Sequence, residues 1–268
     1  MDSIGFVGSG NMAEALIKGI IGAAVYKASD IYISDIRQER LDYLGGKYGV
    51  QPSNNVELAG QVDILVLSVK PQNIAEVLRS IKDGFRQGTL VISIAAGIKV
   101  SNIAAVLGNT AIVRVMPNTP ALIGEGVSAL FANEKAGPML EKAVSIFSSV
   151  GSAVIVEDED LLDAVTAVSG SGPAYYFLLT EQIIKAAAEL GLPEDIAKEL
   201  VLQTAKGAAL LAVEASKEGQ SIASLRQKVT SPGGTTEAAL KVLADGKIGE
   251  LICSAITRAR DRSRELSG

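Results

Sequence analysis

The residues best placed to do chemistry are Lys228-Val229-Thr230-Ser231-Pro232-Gly233-Gly234-Thr235-Thr236-Glu237, a Pro-Gly-Gly turn running straight into the helical pattern Glu237-Ala238-Ala239-Leu240-Lys241-Val242-Leu243. Proline and two glycines turn the backbone sharply and leave its amides bare. The first amides of a helix have no intrahelical partner and carry the positive end of its dipole. The amides of Gly233, Gly234 and Thr235 are therefore expected to hold a small carboxylate without an arginine. Thr235 and Thr236 add two hydroxyls beside it. Taken alone, the stretch reads equally well as a Gly-rich turn that opens a helix.

A second constellation lies at the start of the chain. Gly8-Ser9-Gly10-Asn11-Met12-Ala13 is a G-x-G-x-x-A fingerprint between an apolar run at 3–7 and helical spacing at 14–21. Gly8 permits the tight turn, Gly10 lets the backbone approach a pyrophosphate, and Ala13 keeps the helix near the sheet. The next strand, 31–34, ends at Asp35, near the spacing expected for a ribose contact. Two readings of the 2′ position stand. Asp35 suits a free ribose hydroxyl and repels a phosphate, whereas Ser34, Arg37 and Arg40 could receive one. Solvated helix positions are the commoner fate of such arginines.

These groups need elements to position them. Apolar runs at 62–69, 89–94 and 111–116 read as strands, with helical patterns at 73–81 and 101–107 between them. The alternation argues a parallel, doubly wound sheet of Rossmann type. Ligands of such sheets collect at the carboxyl ends of the strands. Those ends carry Val69-Lys70-Pro71, Ala95-Ala96-Gly97 and Asn118, all expected at the cofactor. Lys70 would reach a phosphate or ribose, and Asn118 the nicotinamide side; their bland readings are a solvated loop lysine and a turn former between prolines. Strands at 127–132 and 153–156, joined by a helix at 139–149, complete the sheet. The expected domains are 1–160, binding the nucleotide, and 161–268, all helical. Helices at 173–190, 193–215 and 248–265 carry apolar residues around most of their circumference, so the second half is expected to dimerise.

Composition removes whole classes of function. The 268 residues are 48% hydrophobic and 21% charged, an ordinary globular balance. Histidine is absent, which excludes His-based acid–base catalysis and His metal sites; with Cys253 the only cysteine, no metal centre is expected. A cofactor is then expected to supply the reactive group. The net charge of −5 and the lack of a basic run argue against nucleic acid or an anionic membrane as partners. No secretory signal or spanning segment is read, and one cysteine fits a reducing, cytoplasmic setting.

In one order, the fingerprint 8–13, Val69-Lys70-Pro71, Arg114-Val115-Met116-Pro117-Asn118-Thr119-Pro120, Ser169-Gly170-Ser171-Gly172-Pro173-Ala174-Tyr175 and Ser231-Pro232-Gly233-Gly234-Thr235-Thr236 resemble the pyrroline-5-carboxylate reductase family, across residues 3 to about 265. The resemblance implies reduction of 1-pyrroline-5-carboxylate to L-proline, the last step of proline biosynthesis, with NADPH or NADH. It implies a Rossmann domain, an interlocking helical dimerisation domain and larger rings of dimers, often decamers. It also implies substrate binding by the segment from Lys228 through Ser231 to Thr236, with Thr236 hydrogen-bonding the ring nitrogen. Residues 220–226 are less typical of the family, and no role is carried over to them.

Two other readings compete with this one. A 3-hydroxyacid dehydrogenase of similar plan needs a proton-shuttling lysine; Lys185, Lys198, Lys206 and Lys228 are candidates, and only Lys228 adjoins a distinctive motif. A non-catalytic nucleotide sensor would keep Gly8 and Gly10 but has no use for the second Gly-rich segment.

Overall fold

The computed structural model of the chain describes residues 2–267. Eight strands form one sheet: β1 (Ile4–Val7), β2 (Ile31–Ser34), β3 (Gln51–Pro52), β4 (Ile64–Leu67), β5 (Leu90–Ser93), β6 (Ala111–Met116), β7 (Gly126–Ala132) and β8 (Gly151–Ile155), in the order β3-β2-β1-β4-β5-β6-β7-β8. The helices are α1 (Asn11–Gly22), α2 (Gln38–Tyr48), α3 (Asn55–Gln61), α4 (Ile74–Ile81), α5 (Val100–Leu107), α6 (Leu140–Ser148), α7 (Leu161–Val165), α8 (Gly172–Glu189), α9 (Glu194–Lys217), α10 (Ile222–Lys228), α11 (Thr235–Asp245) and α12 (Ile248–Ser267). No helix among the described residues is long and apolar enough to cross a membrane.

The sheet is covered on both faces. Successive residues of a strand point to opposite sides, so a strand buried twice reads as an unbroken apolar run. Ile64 and Val66 of β4 join Phe6, Ile33, Leu16 and Phe147 in one core layer. Leu65 and Leu67 join Leu58, Leu78 and Ile103 in the other. β1 pairs in parallel with β2 and with β4, setting Val7 beside Ser34 and Leu67. The carboxyl ends of three strands thus meet at the turn that follows Val7.

One expectation about the sheet is corrected. It is mixed, not parallel throughout: β7 runs antiparallel to β6, with Val113 opposite Ala132. Only residues 117–125 separate the two strands, too few for a crossover back to the same end. The edge strand β3 and helices α2 and α3 add to the expected elements.

By contacts the chain divides into two compact units, one running to Pro173 and resuming at Arg258, the other being Ala174–Thr257. The expected division lay at 160/161. In the first unit, Ser263 of α12 donates to the buried Asp163 of α7 at 2.6 Å, fastening the end of the chain to it. Arg114, 4% exposed on β6, is matched by Glu159 at 3.0 Å, which also accepts the Val100 amide; the charge is buried but paired.

The second unit leaves Tyr176, Phe177, Leu200, Leu210, Leu211 and Leu251 more than half exposed. Full burial of such a side chain is worth roughly 1.5–3 kcal/mol over full exposure, and these forgo about half of it or more. Small residues, Ala187, Ala197 and Ala215, make up its buried interior. A helical unit of this kind is short of core by itself.

Candidate functional site

One candidate site is the turn between β1 and α1. Gly8 has φ +90°, and a Cβ there would lie 2.7 Å from the Ser68 carbonyl oxygen and from Val69 Cγ1. Both its conformation and its surroundings require glycine. Beside Gly10, by contrast, a Cβ would meet nothing within 4 Å, so the space in front of the turn is open. The Gly8 amide is bonded to Ser34 O and the Ser9 amide to Asp35 Oδ2. The next four amides, of Gly10, Asn11, Met12 and Ala13, have no intramolecular acceptor among the described residues. A helix start with free amides facing open space is what a pyrophosphate requires, so the residues present fit a dinucleotide.

The strand ends around this turn hold most of the expected cofactor residues. Val69 packs at Gly8, and Lys70 stands exposed at the cap of a short 3-10 turn opened by Pro71. Ala95, Ala96 and Gly97 follow β5, with Gly97 at φ +75°. Ser34 is buried and donates to Asn55 Oδ1 at 2.6 Å, which brings Asn55, absent from the sequence reading, to the edge of the site.

At the end of β2, Asp35 and Arg37 are paired with each other. Asp35 accepts from the Arg37 guanidinium at 3.1 and 3.3 Å and from the amides of Ser9 and Arg37 at 3.0 Å. Burial pushes its carboxyl up, but these bonds outweigh burial and hold it below the usual carboxylate range. The side chain of Arg37 remains 54% exposed. Arg40 is not a solvated helix residue. Its side chain is 16% exposed, and it donates to Ser9 O at 2.6 Å and to Glu14 at 2.5 Å. Glu14 also accepts from Lys47, Tyr43 and Tyr48. Burial raises the Glu14 carboxyl, and the bonds from Arg40, Lys47 and Tyr48 bring it down to about 2.

Asn118 is hydrogen-bonded within the chain. Its Oδ1 accepts the Val127 amide at 2.9 Å, and its Nδ2 donates to Ser169 O and Oγ at 3.3 and 3.4 Å. It braces the turn after β6 against β7 and the 169–173 segment.

A separate candidate site, within the other unit, is the start of α11. Here the expectation of bare glycine amides is corrected. The Gly234 amide bonds Ser231 O at 3.0 Å, and the Gly233 amide bonds Glu237 Oε2 at 2.8 Å. The free amides are those of Thr235, Thr236 and Glu237, one step further into the helix. Gly233 sits at φ +70°, and a Cβ on Gly234 would lie 2.4 Å from Ser231 Oγ. The hydroxyls of Thr235 and Thr236 have no hydrogen-bond partner among the described residues, whereas that of Thr230 is spent on Arg226 O. Lys228, at the end of α10, donates to Gln220. The arrangement can hold a carboxylate on three amides and offer one hydroxyl to a polar atom beside it.

The chain is similar to known proteins over its whole length. The profile of a family described as pyrroline-5-carboxylate reductase dimerisation matches residues 159–266, and one described as NADP oxidoreductase, coenzyme F420-dependent, matches residues 3–97. A pyrroline-5-carboxylate reductase of Pseudomonas aeruginosa is 42% identical over 98% of this chain and 96% of its own. A solved structure of a pyrroline-5-carboxylate reductase from Coxiella burnetii superposes with a TM-score of 0.92 at 42% identity, covering 100% of this chain and 99% of that one. A Plasmodium falciparum pyrroline carboxylate reductase with NADP bound gives a TM-score of 0.88 at 31% identity, covering 100% and 98%.

Proposed function

The chain belongs to the pyrroline-5-carboxylate reductase family, and from that membership we propose that it reduces 1-pyrroline-5-carboxylate to L-proline, the last step of proline biosynthesis, with NAD(P)H. The observation that carries the reading is the start of α11: three free amides and the unpartnered hydroxyl of Thr236 on one helix end. The amides of Thr235, Thr236 and Glu237 take the substrate carboxylate, and the Ser231–Gly234 turn holds them in place. Thr236 donates to or accepts from the ring nitrogen and sets its position.

The amides of Gly10 to Ala13 hold the pyrophosphate, and Ser34, Asp35, Arg37 and Lys70 lie where ribose and phosphate groups are bound. Val69, Pro71, Ala95, Ala96 and Gly97 shape the strand ends, and Asn118 enters as their brace. When bound, the nicotinamide supplies the hydride. The protonated imine is already electrophilic at C5, so the protein needs no strong acid; the C=N electron pair moves to nitrogen, and the amine takes its second proton from water. The chain's work is positioning, which converts a bimolecular encounter into an oriented one. Nothing in this scheme calls for histidine or a metal.

The same reading makes the chain a homodimer through its helical half, because the exposed apolar side chains there need a cover. It extends to a ring of such dimers, a decamer, in the cytoplasm, with no nucleic-acid or membrane partner for a chain of net charge −5. Mixing the purified protein with NADPH and either pyrroline-5-carboxylate or a set of 3-hydroxy acids with NADP+, followed at the nicotinamide absorbance band, tests the activity. Turnover of the imine alone is expected; turnover of a hydroxy acid alone would replace this reading with a dehydrogenase. Thr236→Ala should leave cofactor binding intact and raise the barrier by about 2–4 kcal/mol, the usual cost of losing one positioned hydrogen bond at a transition state.

A further inference from the structure

Arg40 lies on α2, away from any residue the fingerprint names, yet its guanidinium reaches back to that turn. Nε donates to Ser9 O at 2.6 Å, Nη2 more weakly to Gly10 O at 3.4 Å, and Nη2 also to Glu14 Oε2. A peptide unit is planar and trans, so fixing a carbonyl fixes the next N–H on the opposite side. Holding Ser9 O therefore aims the Gly10 amide, and holding Gly10 O aims the Asn11 amide. Both are among the amides left without an acceptor. The carbonyls, whose partial negative charge would repel a pyrophosphate, are turned away and neutralised by the same side chain.

Glu14 supplies the other half of the device. It sits on the first turn of α1, its own amide is bonded to Gly10 O, and its carboxylate is gripped from α2 by Arg40, Lys47 and Tyr48. Arg40 is thereby anchored at both ends, and its charge is matched rather than left to face the cofactor. Arg37, 54% exposed and tied to Asp35, has no such contacts with the turn.

We propose that Arg40 is a positioning residue for the pyrophosphate of the dinucleotide, acting on the amides of Gly10 and Asn11 through their carbonyl partners, and that it does not read the 2′ position. The proposal rests on the dinucleotide reading of the turn and is independent of the imine.

Binding is measured by calorimetry without imine, using NADPH, NADH, adenosine 5′-diphosphate and adenosine 2′-monophosphate as probes, on the full chain and on Arg40→Met and Arg40→Lys. Arg40→Met is expected to weaken NADPH, NADH and the 5′-diphosphate together, by about tenfold, and to leave the 2′-monophosphate unchanged. Its KM for either cofactor should rise by the same factor with kcat at saturation within about twofold. Arg40→Lys keeps the charge but cannot span two carbonyls and Glu14; it should show the same pattern at a smaller size, and it decides the matter if Arg40→Met does not fold. Loss confined to NADPH and the 2′-monophosphate, or unchanged binding in the folded variants, overturns the proposal. Failure of the unmodified chain to bind either cofactor would instead overturn the dinucleotide reading.

Discussion

The carboxylate of Glu237 turns back along the first turn of α11 and accepts the amide of Gly233 at 2.8 Å. A carboxylate of the chain itself therefore sits against the same helix end that is proposed to take the carboxylate of the substrate. The two negative charges compete for one positive helix end.

Glu237→Gln keeps the length of the side chain and its capacity to accept the Gly233 amide, but removes the charge. KM for pyrroline-5-carboxylate is expected to fall, by about two- to fivefold, from relief of a repulsion worth a few tenths to 1 kcal/mol at an exposed helix end. Cofactor affinity should not move. Steady-state kinetics at varied imine check this; an increase in KM would mean that Glu237 organises the turn rather than opposing the ligand.

The two fingerprint glycines should separate cleanly on substitution. Gly10→Val meets open space within the chain and should leave the melting temperature nearly unchanged while raising cofactor KM steeply. Gly8→Ala forces a side chain to φ +90° and against the Ser68 carbonyl, and should destabilise the fold itself. Thermal unfolding paired with cofactor titration distinguishes them. A folded Gly10→Val protein with normal cofactor binding would reduce the fingerprint to a structural turn.

The same comparison shows what the sequence carries and what it hides. β2 and β6 have the expected bounds, because a strand buried on both faces is an apolar run that polar turns interrupt. The reversal of β7 was readable in principle from the short 117–125 connection, and the start of α3 from Asn54, whose side chain accepts the Val56 and Glu57 amides. Arg40, Asn55 and Asn118 are different. Their partners lie far away in the chain, at Ser9, Ser34 and Ser169, and no local spacing announces them. A helix does start at the Pro-Gly-Gly turn, as the sequence leads one to expect, but its free amides lie one step further on than expected. Which amides a Pro-Gly-Gly turn consumes depends on where the Ser231 carbonyl and the Glu237 side chain come to rest.

The Glu14 cluster makes a pH prediction. Its carboxyl is held at about 2, against an ordinary value of 4.5. The depressed value means that the folded state binds this proton less readily than the unfolded one, so the contribution to stability is complete above about pH 4.5 and is lost as pH falls toward 2. Asp63, held at about 2 by the Ser3 amide and Arg86, adds to the same window. Glu14→Gln should lower stability at pH 7 and flatten its fall between pH 4.5 and 2, leaving the Asp63 component. Denaturant unfolding at a series of pH values measures both; parallel curves for the variant and the original chain would show that Glu14 is not coupled to folding in this way.

Cofactor choice turns on Asp35 and Arg37, and their pairing alters what each substitution should do. A 2′-phosphate about 4 Å from an ionised Asp35 would be opposed by roughly 4 kcal/mol per unit charge at an effective dielectric of 20. Asp35 is not free to exert that fully, because it is bonded to the Arg37 guanidinium and the Ser9 amide. Arg37 in turn keeps about half its surface open to solvent, where a phosphate can reach it. The pair therefore tolerates either cofactor, and we expect use of both with NADPH modestly preferred. Asp35→Ser removes the repulsion and also releases the Ser9 amide, so absolute affinities for both cofactors will shift; the informative quantity is their ratio. That substitution should raise kcat/KM for NADPH relative to NADH, and Arg37→Ala should lower it, with the change shrinking as ionic strength rises because Arg37 is exposed. Saturation kinetics with both cofactors at two salt concentrations measure the ratio directly. If neither substitution moves it, neither side chain reaches the 2′ position, and selection lies with the buried Ser34 and its partner Asn55.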